Sequence, residues 1–126
     1  MILYLGGAYQ GKSRTAALAH HLTSRDFYRC RREEQPFVPA QRCICGLHLW
    51  ALGAAERKED FVELLSPLLP ELRDKILLCD DITGGIVPVD PVERRWREEL
   101  GKALQRLATE SDEVWQVFAG LPMKLK

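Results

Sequence analysis

Eight residues constrain this chain more than any others: Gly6-Gly7-Ala8-Tyr9-Gln10-Gly11-Lys12-Ser13, which follow directly on the apolar run Met-Ile-Leu-Tyr-Leu of residues 1–5. They match the phosphate-loop pattern G-x-x-x-x-G-K-[ST] at every fixed position. The chemistry behind the pattern is local. Glycines let the backbone wrap with its N–H groups turned inward, and the start of the next helix adds partial positive charge. A lysine reaches the β- and γ-phosphates, and a hydroxyl ligates Mg²⁺. The pattern therefore assigns Gly6, Gly7, Ala8, Tyr9, Gln10, Gly11, Lys12, Ser13 and Arg14 to a nucleotide, ATP or GTP, with Lys12 catalytic and Ser13 on the metal. A chance glycine turn is the competing explanation. Against it stands the context, a buried strand before the loop and a helix after it, expected over residues 12–22 from Ala16, Leu18, Ala19 and Leu22. His20 and His21 fall in that helix's last turn, where an imidazolium would favour the helix dipole.

Strand-like and helix-like segments alternate downstream. Residues 23–42 are charged and broken by Pro36 and Pro39, and admit at most a short strand at 27–30. Residues 43–45 read as a second core strand, with a helix beginning near Leu49 and a further apolar stripe at Phe61, Leu64, Leu65 and Leu68 punctuated by Pro67 and Pro70. Residues 75–79 form a third apolar run, closed by Asp80-Asp81 and a turn at Thr83-Gly84-Gly85. Asp90-Pro91 supplies a helix cap and a proline at the first helical position, and Val92, Trp96, Leu100, Ala103, Leu104 and Leu107 continue one face to about residue 109. Residues 114–119 make a last strand, ended by Gly120 and Pro122. This alternation predicts an α/β fold of the P-loop NTPase, RecA-like kind, a mostly parallel sheet with helices on both faces and a single domain over residues 1–126.

A phosphate loop works with a carboxylate at the end of a neighbouring strand, and Asp80 and Asp81 both fit; Asp81 is taken as the catalytic group and metal ligand, though it could equally cap the following turn. The 18 basic and 18 acidic residues cancel, so the field as a whole points to no nucleic acid and no membrane as partner. No apolar run approaches the ~20 residues that span a bilayer, and with no targeting segment the expected location is cytoplasmic. The spacing of Cys30, Cys43, Cys45 and Cys79 suits buried reduced thiols better than a zinc site.

Further segments carry a likeness. Gly85-Ile86-Val87-Pro88, Arg94-Arg95-Trp96-Arg97-Glu98, Gly101, Gln105, Asp112-Glu113-Val114-Trp115 and Gly120-Leu121-Pro122-Met123-Lys124-Leu125-Lys126, together with a loop opening Gly-Gly-Ala, resemble the adenosylcobinamide kinase/adenosylcobinamide-phosphate guanylyltransferase family. The resemblance covers roughly residues 1–22 and 44–126. It implies a kinase of cobalamin biosynthesis that phosphorylates the hydroxyl of adenosylcobinamide, a corrinoid, and a ring-like homo-oligomer, a trimer, in keeping with the three tryptophans. In full-length members it also implies GMP transfer through a guanylylated histidine. Two departures stand out. No histidine occurs between Leu22 and Leu47, so the guanylyltransferase half is expected to be lost. Cys45 stands where the family has a strand-end aspartate, in Cys45-Gly46-Leu47-His48-Leu49-Trp50. His48 replaces a threonine there and is a candidate acid, base or phosphate contact, or a structural histidine. Arg94 and Arg97 could clamp phosphate or be solvated. The alternative function is a non-catalytic nucleotide-binding sensor or partner subunit.

Overall fold

The structure is a computed structural model that describes residues 1–82 and 88–126. The expected turn at Thr83-Gly84-Gly85 and the Gly85-Ile86-Val87 part of the family likeness lie outside the described residues.

Six strands form one sheet: β1 (Ile2–Gly6), β2 (Phe27–Arg29), β3 (Cys43–Cys45), β4 (Ile76–Asp80), β5 (Glu113–Phe118) and β6 (Leu121–Lys124), in the order β2-β3-β4-β1-β5-β6. All neighbours are parallel except β5 and β6. Period-two alternation divides the side chains between the two faces. Leu3, Ile44, Leu77 and Val114 pack under α2 (Leu47–Glu56), α3 (Phe61–Leu65) and α4 (Pro91–Glu110). Tyr4, Cys43, Cys45, Leu78 and Val117 face the other way, with Ala16 of α1 (Lys12–His20). The fold is thus the expected α/β sheet covered on both faces, with three helices on one side and one short helix on the other.

The longest helix is built as its sequence suggests. Asp90 accepts a hydrogen bond from the Val92 N–H, Pro91 occupies the first turn, and Leu100, Ala103 and Leu107 are buried. Val92, at its exposed start, is not. α2 begins at Leu47 rather than near Leu49, because Gly46 takes the left-handed conformation at its N-cap and starts the helix directly from β3.

The carboxy-terminal segment differs from expectation. Gly120 and Pro122 do not end the sheet; Ala119 and Gly120, both at positive φ, make a two-residue hairpin turn into β6. β6 is an edge strand, where a proline without an N–H costs no ladder bond on the outer side. Residues 30–42, unreadable from sequence, are fastened to α2. The Trp50 indole and Tyr28 hydroxyl donate to Glu34, Arg32 pairs with Glu56, and an added Cβ at Gly53 would lie 2.0 Å from the Arg32 carbonyl oxygen.

All four cysteines are free and buried. The tryptophans are used within the chain: Trp50 is fully buried, the Trp96 indole donates to the His48 carbonyl at 2.7 Å, and Trp115 stacks on Tyr4. Trp96 and Trp115 remain partly exposed. His20 also departs from its expected role, since it meets the Tyr4 hydroxyl at 2.8 Å and burial lowers its pKa from the ordinary 6.5. The environment favours the neutral ring rather than an imidazolium. Among the described residues no helix is long and apolar enough to cross a membrane.

Candidate functional site

The loop between β1 and α1 sits at the carboxyl end of the parallel strands, where ligand crevices of open α/β sheets lie. Its tight path rests on two glycines. Gly6 has φ +155°, and a Cβ there would come within 2.4 Å of the Val117 carbonyl oxygen on β5; Gly11 has φ +94° and begins α1. Tyr9, at φ 61°, is fully exposed at the loop's tip. Gln10 ties the loop to the β5–β6 turn, its side-chain oxygen accepting from the Ala119 N–H and its carbonyl from the Gly120 N–H at 2.8 Å.

The loop borders a cleft of about 560 Å³, lined by Ala8, Tyr9, Gln10, Gly11, Lys12, Ser13 and Arg14 on one side, and on the other by Arg29 from β2, Cys45 and Gly46 from β3 and its end, His48 from α2, and Leu78 and Asp80 from β4. Gly6 and Gly7 contribute through their carbonyls. The Lys12 ammonium is buried, donating to the Gly6 and Gly7 carbonyl oxygens at 3.0 and 2.8 Å and pairing with Asp80 Oδ1 at 2.7 Å. Three donors meet three acceptors, so the buried charge is fully satisfied.

Of the two strand-end carboxylates, the one that pairs with Lys12 is Asp80. The reason is the strand's alternation. Leu78 and Asp80 point to the α1 face and line the cleft, Cys79 points to the opposite face, and Asp81 lies beyond the strand, exposed, its N–H donating to the Gly6 carbonyl at 3.0 Å. Parallel pairing sets Gly6 beside Asp80, which places that carboxylate at the base of the loop.

His48 reaches the same group. Its Nδ1 accepts the Asp80 backbone N–H at 3.2 Å, which puts the neutral ring's proton on Nε2, and Nε2 faces Asp80 Oδ2 at 3.6 Å. Burial lowers the imidazole pKa below 6.5; Asp80 opposes this, while Lys12 and Arg29 reinforce it. Neither nitrogen has a lone pair to spare, so the geometry suits a positioning role better than that of a base. Cys45 occupies the strand-end position one strand further from the loop. Its thiol hydrogen-bonds the Tyr28 carbonyl at 3.2 Å and burial raises its pKa, so it stays protonated and offers no hard oxygen to a magnesium ion. Arg94 donates to the Pro88 carbonyl and does not line this cleft.

Mg²⁺ takes oxygen ligands, commonly one or two protein groups plus phosphates. The Ser13 hydroxyl and Asp80 carboxylate meet that demand on one cleft. Among the described residues no cluster of three or more His, Cys, Asp or Glu side chains could hold a metal on protein ligands alone.

Sheet order, loop and buried lysine together define an α/β protein of the P-loop NTPase class. Comparison with known proteins narrows this: the model of the cobinamide kinase / cobinamide phosphate guanyltransferase family matches residues 42–125, and the chain belongs to that family. The match begins after the phosphate loop, so the loop stands on its own pattern and geometry. The chain is similar to the bifunctional adenosylcobalamin biosynthesis protein CobU of Salmonella typhimurium, 35% identical over 79 residues, 61% of this chain and 44% of that one. It is 40% identical over 65 residues to the protein CobP of Pseudomonas aeruginosa, which bears the same bifunctional description, covering 51% of this chain and 38% of the relative. The matched stretches thus span less than half of those curated relatives.

Proposed function

We propose that this chain binds ATP or GTP with Mg²⁺ at the phosphate loop and transfers the γ-phosphoryl group to the hydroxyl of a corrinoid of the adenosylcobinamide type, without the guanylyl-transfer step. The observation that carries this reading is the Lys12 ammonium, held in a cleft with Asp80 and Ser13 at the mouth of a complete phosphate loop. Family membership supports the substrate class.

Lys12 is held by Gly6, Gly7 and Asp80 beside the loop, where the β- and γ-phosphate oxygens of a nucleotide would reach it, so its charge is already in place when negative charge develops. Ser13 and Asp80 would hold Mg²⁺, which would supply charge neutralisation. The assignment of Asp81 to metal and catalysis passes to Asp80. The acceptor hydroxyl oxygen forms the new bond to the γ-phosphorus, the bond to the β–γ bridging oxygen breaks, the nucleoside diphosphate leaves, and the hydroxyl proton passes to solvent. A loose phosphoryl transfer of this kind asks for positioning more than for a strong base. His48 keeps Asp80 oriented.

A second reading, a nucleotide-binding sensor without turnover, is favoured by one observation, the protonated Cys45 thiol where relatives of the resembled family have a carboxylate. The test is phosphorylation of adenosylcobinamide by the purified protein with ATP or GTP and Mg²⁺. Lys12→Ala should lower turnover by at least ~10³-fold, the scale of losing a main charge-stabilising group. Nucleotide binding with no phosphorylated corrinoid would establish the sensor instead, and recovery of turnover in Cys45→Asp would then locate the defect at the metal.

A further inference from the structure

A second hollow, of about 460 Å³, adjoins the phosphate-loop cleft on the α1 face of the sheet. The two share Ser13, Arg14, Arg29 and Cys45, so they form one continuous trough. Beyond the shared residues the second hollow is lined by Ala17, Ser24 and Phe27. Phe27, at the start of edge strand β2, is half-buried and packs on the smaller core. Among the described residues α1 is the α-helix on this face, and the trough runs along it toward the sheet edge.

Its chemistry is one-sided. Among the described residues no carboxylate lines the second hollow. Arg14 and Arg29 flank it, and neither guanidinium makes a hydrogen bond or ion pair among the described residues. Arg29 is close enough to the first cleft for its charge to press the His48 imidazole downward. Two unpaired guanidinium groups above an aromatic and an aliphatic floor select a ligand with an apolar face and a rim of carbonyl or anionic oxygens, and disfavour a cation. A volume of hundreds of Å³ suits a large ligand rather than a small alcohol. Ser13, whose hydroxyl belongs to the phosphate end, lies on both hollows, so a ligand in the second is contiguous with the γ-phosphate position.

We infer that this trough is the acceptor subsite: the body of the phosphate acceptor lies on Phe27 and Ala17, and Arg29 grips its oxygen-bearing rim and sets the hydroxyl toward the phosphate loop. The corrinoid identity of the acceptor rests on the proposed function; the position and chemical character of the subsite do not.

Equilibrium dialysis with adenosylcobinamide, and fluorescence titration with anilinonaphthalene sulfonate as an unrelated apolar anion, test the assignment on three variants: Phe27→Ala, Arg29→Gln and Ser24→Trp. The last fills the trough from an exposed position without touching the core. A MgATP-induced rise in melting temperature in Phe27→Ala and Ser24→Trp reports that the fold and phosphate loop are intact. The expected result is corrinoid binding weakened roughly tenfold or more in each variant, the scale of one lost charge-assisted contact, and sulfonate fluorescence lost in parallel but unaffected by MgATP. Corrinoid bound equally well by wild type and Ser24→Trp overturns the subsite. So does displacement of the sulfonate by MgATP, which would make the trough part of the nucleotide site, and so does binding of neither probe. Sulfonate binding that responds to the variants, with no corrinoid bound at all, supports the subsite and removes the corrinoid reading instead.

Discussion

Replacing Asp80 and Asp81 one at a time separates the two carboxylates that the sequence sets side by side. In the resting protein Asp80→Asn keeps the side chain's shape and an oxygen for Lys12, and removes only its charge. The pair is 2.7 Å long, with side-chain exposures of 9% and 26%, so solvent screens it incompletely. Breaking a fully buried pair costs about 3–5 kcal/mol. Here Lys12 keeps the Gly6 and Gly7 carbonyls, so the expected loss is about 2 kcal/mol, near that of one hydrogen bond to a charged group. For a chain of this size that is a fall in melting temperature of roughly 8 °C.

Nucleotide then sharpens the contrast. With Asp80 neutral, Lys12 gives up less to meet phosphates, so ATP without metal should raise the melting temperature of Asp80→Asn at least as much as that of the wild type. The further rise that Mg²⁺ brings should vanish, and turnover should fall by roughly 10²-fold, equivalent to about 3 kcal/mol of lost charge stabilisation. Differential scanning fluorimetry with ATP, with and without Mg²⁺, measures the first two effects and a corrinoid phosphorylation assay the third. If Asp81→Asn removes the magnesium increment while Asp80→Asn behaves as wild type, the alternation argument for β4 is wrong.

Gly6→Ala should destabilise the protein by about 3 kcal/mol in urea titrations, because its Cβ meets the Val117 carbonyl oxygen at 2.4 Å in a backbone conformation reserved for glycine. Stability should decline as pH falls below 6.5, since His48 has a folded-state pKa below that ordinary value and the unfolded chain takes up the proton first. His48→Asn, which can still accept the Asp80 N–H, should flatten that slope in part, with His20 accounting for the remainder. Incubation with labelled GTP should leave no acid-labile guanylylated protein, because His20 is held at the Tyr4 hydroxyl, His48 by the Asp80 amide, and His21 does not line the phosphate-loop cleft; a stable adduct mapped by mass spectrometry to any histidine would refute this.

The parts of the fold legible from sequence are those in which one residue type admits one structure. Gly6 and Gly11 are such positions, since at φ +155° and +94° they lie outside the left-handed region that Tyr9 and Ala119 occupy, and Asp90-Pro91 is another, a cap whose proline suits a first turn. Three features resisted because their signals are relational. Pro122 stops a central strand but not an edge strand, and whether β6 is an edge depends on the whole sheet order. Residues 30–42 lack periodicity because their structure comes from elsewhere, from Glu34 under the Trp50 indole and the Arg32 carbonyl against Gly53. The choice between Asp80 and Asp81 turns on a single step of register. Both follow an apolar run, but only the pairing of Gly6 with Asp80 across β1 and β4 decides which one shares a face with Leu78 and the phosphate loop. The same step sets Cys45 apart from Lys12. β4 lies between β1 and β3, so a carboxylate at its end is one strand nearer the loop than residue 45. With Asp80 bound to Lys12, the cleft retains an anionic oxygen where a metal and a phosphate would meet.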